Sequence, residues 1–273
     1  MEVSVFGGKG FIGSQYVKRH GGIVQARENY TPATANILYL ISTVDNYNIF
    51  TDPHIDINTN LNVLIDVLEE HRKRNGTEGI FNFVSSWFVY GQVALPVSED
   101  AQCNPMGFYS ITKRAAEQLL ISYCMTYGMK YRILRLGNVV GRGDDKVSAK
   151  KNALQYLINR MKNDEPIDLY EDGDFYRDYI HVNDCVDAIE LIMKKGEPNS
   201  IYNVSNGNGI KFKSIIDYAY NKLESESVIT SIPQKDFHKI VQVKSMMMDN
   251  TKIKKLGYTQ KYDMEGMVDD LIT

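Results

Sequence analysis

This 273-residue sequence has few cysteines and no long apolar run. Its three cysteines, Cys103, Cys124 and Cys185, are widely spaced and odd in number, so they provide neither a disulfide framework nor the ligand spacing of a metal site. The longest apolar runs, such as ILYLI at 37–41, are far too short to cross a bilayer. Strand-like residues follow Met1 at once, which leaves no room for a signal peptide. We therefore expect a cytoplasmic protein with no metal site and no membrane association.

An excess of positive charge is also missing. The formal net charge is −3, whereas proteins that bind nucleic acid usually carry a strong basic excess. The hydrophobic content of 43% and the charged content of 24% are ordinary for a globular protein. The length suits one large α/β domain, or a domain with a smaller lobe. We therefore expect no nucleic-acid partner.

The first half of the chain alternates short apolar runs with amphipathic stretches. The runs that read as strands are 1–6, 22–26, 36–42, 80–86 and 131–136. The amphipathic stretches between them, which read as helices, are 11–20, 59–74 and 109–127. Such alternation predicts an α/β fold of the Rossmann-like type, a doubly wound parallel sheet with helices on both faces.

The second half follows a looser pattern. It offers, in order, helices and strands at 149–163, 167–170, 183–195, 200–205 and 212–223. We expect residues 1–145 to form a dinucleotide-binding domain. Residues 146–273 should build mainly a smaller C-terminal substrate-binding lobe, with segments near 176–205 returning to the main sheet. That lobe should cover the carboxyl edge of the sheet, where doubly wound folds bind their ligands.

A glycine-rich loop follows the first strand. Gly7, Gly10 and Gly13 form G-x-x-G-x-x-G at the start of the first helix. Glycines here permit a tight turn and a close approach of the backbone to a pyrophosphate, and the helix N-terminus supplies N–H donors. The alternative is a glycine-rich turn without a ligand. The strand before the loop and the helix after it favour a dinucleotide.

The end of the second strand leaves the choice of dinucleotide open. An acidic residue about 20 positions beyond the glycines would bind the adenosine ribose of NAD, and Glu28 is the candidate. Arg27 precedes it and could neutralise the extra phosphate of NADP. Arg27 tilts the prediction toward NADP, while NAD stays possible.

A tyrosine and a lysine lie four residues apart on the predicted helix 109–127. This spacing places Tyr109 and Lys113 on one helix face. A lysine beside a phenol lowers the phenol's pKa, which lets it act as acid or base toward a hydroxyl. Spacing alone is uninformative, because Tyr218 and Lys222 share it and read as an ordinary exposed helix face. Tyr109 differs because its helix follows the strand that ends in the paired serines of FVSSWFVYGQ, residues 83–92.

Taken together, the motifs resemble the extended short-chain dehydrogenase/reductase family, in its group of nucleotide-sugar epimerases and dehydratases. In chain order they are GGKGFIG (7–13), SSWFVYG (85–91), YSITK (109–113), RLGNVVGRG (135–143) and YRDYIHVNDCVDA (176–188). The resemblance covers essentially the whole chain. Several motifs in the family's order are far more specific than any one of them.

The resemblance assigns a catalytic set. Ser86, four residues before Tyr90, matches the serine or threonine that hydrogen-bonds the reacting hydroxyl or carbonyl of the sugar. Tyr109 matches the general acid and base, and Lys113 the lysine that binds the nicotinamide ribose and tunes that tyrosine.

It also assigns binding residues. Asn138 matches the asparagine that contacts the substrate diphosphate, and Arg177 the arginine that neutralises it; Ser86 and Trp87 complete the predicted substrate site. The predicted cofactor-binding residues are Gly7, Gly10, Phe11, Ile12, Gly13, Arg27, Ile41, Ser42, Thr43, Asn60, Tyr109 and Lys113.

Two departures from the family pattern limit what the resemblance implies. Between the glycine loop and the strand 36–42 the chain has room for only one strand, so the sheet should be shortened near the second strand and the adenine side more open. Trp87 and Phe88 stand where the family's dehydratases carry acidic residues. Neither aromatic side chain can transfer a proton, so a dehydratase is not expected.

The leading hypothesis is an NAD(P)-dependent nucleotide-sugar epimerase, most simply at C4, that works through a transient keto-sugar. The alternative is a 4-keto nucleotide-sugar reductase that consumes NAD(P)H and uses the same residues. A non-catalytic dinucleotide-binding regulator is a third hypothesis.

The resemblance further implies a homodimer formed through helices 59–74 and 109–127. His20, His54, His71 and His238 have no partners at ligand spacing and are expected on the surface.

Overall fold

The computed structural model describes residues 2–44, 46–144, 147–148 and 151–273. Its strands are β1 Ser4–Phe6, β2 Ile23–Val24, β3 Ile37–Tyr39, β4 Phe81–Ser86, β5 Tyr131–Leu136, β6 Asn138–Val140, β7 Ile167–Tyr170, β8 Tyr176–His181, β9 Ser200–Val204, β10 Gly209–Lys211 and β11 Ile229–Ile232.

The helices alternate with these strands. They are α1 Phe11–His20, α2 His54–Ile57, α3 Val63–Asn75, α4 Phe108–Tyr127, α5 Ala153–Met161, α6 Val182–Lys195, α7 Phe212–Leu223, α8 Asp236–Val241, α9 Thr251–Lys255 and α10 Met264–Ile272. A π-helical segment, Asn58–Asn62, joins α2 to α3. The first two residues of the predicted helix 149–163 and the first of the predicted strand 1–6 lie outside the described residues.

A six-stranded sheet in the order β2-β1-β3-β4-β5-β9 forms the centre of the fold, and all its neighbours pair in parallel. Successive side chains of a strand point to opposite faces. Accordingly Leu134 packs with the α1 and α6 side chains on one face, whereas Ile133 packs with α3 and α4 on the other. The predicted α/β fold with a parallel sheet and helices on both faces is confirmed.

The sheet is short at the β2 edge. Only Ile23 and Val24 pair with β1, where the sequence predicted a strand over 22–26. Residues 25–36 contain neither helix nor strand and lead directly to β3 on the other side of β1. Ala26, Arg27 and Glu28 are exposed, since no strand in the described part of the chain continues the sheet beyond β2.

The C-terminal half builds a second hydrophobic core. Helices α5, α7 and α10 pack around it with strand β7, which pairs with β11. A three-stranded sheet, β10-β8-β6, adjoins this core. Of the segments near 176–205 that the sequence analysis expected in the main sheet, only β9 joins it as a strand. Helix α6 packs on a face of the main sheet, while the β8 residues pair with β6 and β10 in the smaller sheet.

Among the residues that the structure describes, no helix has the length and apolar character needed to cross a membrane.

Candidate active site

A cavity of about 1180 Å³ opens at the carboxyl ends of the parallel strands. The residues that follow or end β1, β3, β4 and β5, namely Gly7, Leu40, Ser86 and Leu136, border it. Side chains of the C-terminal half, including Arg177, complete its wall. The cavity therefore lies where doubly wound sheets bind their ligands.

The glycine loop forms one end of the cavity. Gly7 has φ +81°, which favours glycine, and a Cβ atom at Gly13 would lie 2.3 Å from the Gly7 carbonyl oxygen. Helix α1 begins after Gly10 with no side-chain cap, and its first residues, Phe11 and Ile12, border the cavity. The cradle of backbone N–H groups and the positive end of the helix dipole suit a phosphate group.

Lys9 lies in the same loop and was missed by the sequence analysis. Its exposed side chain borders the cavity beside the uncapped start of α1. Neither Lys9 nor Arg27 has an ion-pair partner in the described part of the chain. The signal in the sequence was the lysine inside the glycine motif, directly before Gly10.

Three of the predicted cofactor residues do not border the cavity. Arg27 is exposed beyond the short β2, because the chain there runs along the edge of the sheet. Ile41 packs against the core beneath α3 and α4. Asn60 is fully buried, and its amide is committed to other protein groups.

Asn60 instead fixes the loop after β3. Its Oδ1 accepts hydrogen bonds from the Ser42 hydroxyl at 3.1 Å and from the Thr43 N–H at 3.0 Å. Its Nδ2 donates to the hydroxyl oxygens of Thr43 and Thr112 at 2.8 and 3.0 Å. Ser42 and Thr43 border the cavity as predicted, and Asn60 ties them to helix α4.

Ser86 ends β4 at the cavity. Its Oγ accepts a hydrogen bond from the Phe88 N–H at 3.3 Å and caps the short 3-10 helix Trp87–Tyr90. The preceding Ser85 also borders the cavity but is buried. The hydroxyls thus stand at a strand end that opens into the cavity.

Tyr109 and Lys113 reach the same wall from the first turns of α4. Tyr109 is 8% exposed and borders the cavity, and the Phe88 ring meets it edge-on at 6.1 Å between centroids. Lys113 is 2% exposed, and its Nζ donates to the Val84 carbonyl oxygen at 2.8 Å. Burial lowers the pKa of the Lys113 amine to about 7, so it is only partly protonated at neutral pH.

The predicted substrate residues Trp87, Asn138 and Arg177 all border the cavity. The Trp87 and Phe88 rings stack at 4.0 Å. The Arg177 guanidinium lies 4.5 Å from the Phe175 ring centre and 5.9 Å from that of Trp87. Asn138 Nδ2 donates to the Asp178 carbonyl at 3.3 Å, which fixes its orientation. A cation and an amide thus stand on the side of the cavity formed by β6 and β8.

An aromatic group that the sequence analysis missed, formed by Tyr47, Tyr170 and His238, borders the cavity. Tyr47 is hydrogen-bonded to His238 of α8, and the Tyr170 and His238 rings meet edge-on at 5.0 Å. The prediction that His71 and His238 lie on the surface is wrong. His71 is buried on the inner face of α3, where its ring stacks on Phe81, and His238 is 7% exposed because Tyr47 and Tyr170 pack against it. Tyr47 and His238 are 191 residues apart, so no local pattern predicts their contact.

Comparison with known proteins identifies the family to which this chain belongs. The family model of the NAD dependent epimerase/dehydratase family matches residues 28–205, which is more than half of the chain. The chain belongs to this family. Membership confirms the resemblance that the motifs carried.

One of the curated proteins to which this chain is similar is a reductase. A GDP-6-deoxy-D-mannose reductase of Pseudomonas aeruginosa is 30% identical over 189 residues, which are 67% of this chain and 62% of that protein. The chain spans between 30% and 62% of the lengths of the first three curated relatives that it matches.

Solved structures share the fold. RMD from Pseudomonas aeruginosa, complexed with NADPH, has a TM-score of 0.84 at 22% identity over 99% of this chain and 97% of that one. A UDP-glucose 4-epimerase of Thermotoga maritima, solved with UDP-glucose, has a TM-score of 0.85 at 22% identity over 100% of this chain and 97% of that one. At such identities the likeness concerns the fold.

Proposed function

We propose that the protein is an NAD(P)-dependent nucleotide-sugar epimerase that acts at C4. The observation that carries this proposal is that Ser86, Tyr109 and Lys113 line the same cavity as the glycine cradle and Arg177. Family membership supports the reaction class. A non-catalytic regulator would have no use for this set of groups at the cavity.

The glycine cradle fits a dinucleotide. A side chain at Gly13 would collide with the Gly7 carbonyl, so the loop keeps its backbone open to a pyrophosphate, and the uncapped start of α1 supplies N–H donors. Ser42 and Thr43 would hold the middle of the cofactor, and Lys113 its nicotinamide ribose. A nicotinamide dinucleotide held by these residues would supply reversible hydride transfer at C4 of the sugar.

The chain's own groups handle the proton. The Tyr109 side chain, as its phenolate, would remove the proton from the C4 hydroxyl and, as the phenol so formed, would return that proton to the same oxygen. The Ser86 hydroxyl hydrogen-bonds that oxygen and keeps it beside Tyr109. Arg177 and Asn138 bind the diphosphate of the nucleotide sugar, which fixes one end of the substrate while the sugar ring turns.

A 4-keto nucleotide-sugar reductase is the second candidate function. Its support is the 30% identity with a curated reductase. The same tyrosine would then donate a proton once, and NAD(P)H would be consumed. A dehydratase is not proposed, because Trp87 and Phe88 stack beside Ser86 where a further acid and base would be needed.

Turnover of a panel of nucleotide sugars tests the proposal. The purified protein is incubated with UDP-, GDP-, dTDP- and CDP-sugars, with and without NAD(P)H, and followed by chromatography and nicotinamide absorbance. A new isomer of equal mass without net change in cofactor is the expected result. Stoichiometric loss of NAD(P)H with a keto-sugar would instead establish the reductase. No conversion of any sugar would overturn both.

We further propose that NADP is the preferred cofactor. Lys9 supports this more directly than Arg27, because its side chain borders the cavity at the glycine loop. Lys9→Glu is expected to weaken NADPH binding about 10-fold and NADH binding little, since one lost charge-assisted hydrogen bond contributes about 1.4 kcal/mol. Titration of nicotinamide fluorescence measures both affinities.

Arg27→Glu is the matched control for this prediction. It makes the same charge change outside the cavity wall, so its effect on NADPH should be smaller. Equal weakening of NADPH and NADH by Lys9→Glu would place the lysine on the shared pyrophosphate and contradict the proposed preference.

We also propose a homodimer built from α3 and α4. Exposed apolar side chains on these helices support it; they are Ile65, Ile111, Leu119, Met125 and Tyr127. A dimer that packs these two helices together would remove these side chains from water. Sedimentation equilibrium should give twice the chain mass of 31.1 kDa, and a monomer would refute this proposal.

A cytoplasmic location is proposed from the three cysteines, which are all free thiols.

A further inference from the structure

The helix that carries Tyr109 begins without a cap of its own. The residue before α4 is Gly107, which has no side chain to accept the first backbone N–H groups. Unsatisfied donors at a helix start are normally bonded by a Ser, Thr, Asp or Asn side chain at that position. Helix α4 therefore needs an acceptor from elsewhere in the chain.

Asn46 supplies that acceptor. Its side-chain Oδ1 accepts a hydrogen bond from the Tyr109 N–H at 3.1 Å, across 63 residues of sequence. The Tyr109 N–H is the second of the helix, one of the donors that a capping side chain normally satisfies. Asn46 is 4% exposed and lies at the cavity wall. The cap of α4 thus bonds the backbone of the tyrosine itself.

Gly107 is fitted to the Asn46 side chain. A Cβ atom at Gly107 would lie 2.1 Å from Oδ1 and 2.5 Å from Cγ of Asn46. The backbone there has φ −105° and ψ 162°, an extended conformation that any residue adopts. Glycine at this position is therefore required by the contact with Asn46 and not by the backbone angles.

We propose that Asn46 is a positioning residue that holds Tyr109 in register with the reacting oxygen. The inference rests on the proposed role of Tyr109 as acid and base. Asn46 fixes the backbone from which the phenol projects, and Gly107 provides the space for its amide. Release of this contact lets the first turn of α4 fray, which moves the hydroxyl relative to Ser86 on the neighbouring strand end.

Asn46→Ala tests the proposal through kinetics. We expect kcat to fall about 10- to 100-fold, as small misplacements of a catalytic group do, with KM for the nucleotide sugar within about twofold. The pH profile of kcat should shift, because the environment of the phenol changes. Asn46→Asp keeps an acceptor oxygen and suits the positive helix end, so it should restore most of kcat.

Gly107→Ala provides an independent check through a double-mutant cycle. Alone, its Cβ displaces the Asn46 amide and should lower kcat about as much as Asn46→Ala. In the Asn46→Ala background the new Cβ fills the vacated space, so the second change should add almost nothing. Additive losses from the two substitutions would overturn the proposed coupling.

Other outcomes separate this proposal from its alternatives. A fall in melting temperature with unchanged kcat and pH profile would make Asn46 merely structural, and a rise in KM alone would make it a substrate ligand. Both overturn the proposal. The hydrogen-exchange rate of the Tyr109 backbone N–H measures the hydrogen bond to Asn46 without any substrate, and Asn46→Ala should increase this rate. If the wild-type protein converts no sugar, the proposed function fails on its own, while unchanged exchange would refute the cap.

Discussion

Replacing Tyr109 by phenylalanine is expected to reduce turnover about 10³-fold, the range that general acid–base catalysis contributes. In the proposed mechanism the phenol takes and returns the sugar proton, and its oxygen is the only heavy atom that the change removes. Tyr109 is 8% exposed, so the phenylalanine ring that replaces it keeps the packing of the wall. Cofactor affinity and melting temperature should therefore stay near those of the wild type.

The chain contains a matched control for this experiment. Tyr218 and Lys222 on α7 repeat the four-residue spacing of Tyr109 and Lys113, but Tyr218 bonds Asp269 at 3.1 Å and lies away from the cavity. Tyr218→Phe should leave kcat unchanged. If Tyr109→Phe retained full epimerase or reductase activity, the assignment of the acid and base would be wrong. Chromatography of the sugar nucleotides measures kcat for both variants.

The sequence predicted the main sheet because its strands carry the signal in their own residues. The predicted strand 131–136 and the observed β5 coincide, since this run is buried throughout. Helix α4 was placed within one residue because its apolar residues recur with the helical period. The glycine loop was readable because only glycine allows the approach of Gly13 to the Gly7 carbonyl.

The rest of the site depends on contacts that no local pattern records. Asn46 reaches Tyr109 across 63 residues, and Tyr47 reaches His238 across 191. Strands such as β10 and β11 have three and four residues, too few to show a period. Arg27 was chosen by its distance from the glycines, a rule that assumes a full second strand. With β2 reduced to two residues, Arg27 falls outside the cavity wall and Lys9 lies on it.

The Lys113→Met variant should lose activity and gain stability. Burial lowers the pKa of the Lys113 amine from 10.5 to about 7. At neutral pH folding must therefore either remove the proton of this amine or bury its charge, and both reduce the free energy of unfolding. Methionine has a similar length and no charge. Turnover should fall about 100-fold because the proposed contact with the nicotinamide ribose and the proposed partner of Tyr109 are lost. The free energy of unfolding at pH 7 should rise by about 2 kcal/mol, after allowing for the lost hydrogen bond to Val84.

The pH dependence fixes the sign of the stability effect. Between the folded pKa of about 7 and the unfolded value of 10.5, the unfolded chain binds the Lys113 proton and the folded chain does not. Wild-type stability relative to Lys113→Met should therefore be lowest below pH 7 and should recover as pH rises toward 10.5. Denaturant titrations of both proteins across this range give the difference, in which the other titrating groups cancel.

Lys222→Met is the control that distinguishes the effect of burying the Lys113 amine from the effect of replacing any lysine by methionine. Lys222 is half exposed and pairs with Asp269 at 3.2 Å, which raises its pKa above 10.5, so its replacement should leave kcat unchanged and should give a stability difference that is constant between about pH 6 and about pH 10. A constant stability difference between wild type and Lys113→Met from about pH 6 to about pH 10 would mean that the amine stays charged in the fold. Lys113 would then be held by its environment as a cation, and the tuning of Tyr109 would be electrostatic at every pH at which the enzyme works. A difference that closes with rising pH would instead leave Lys113 as a partly neutral group, able to donate a hydrogen bond to the ribose without a permanent charge beside the phenol.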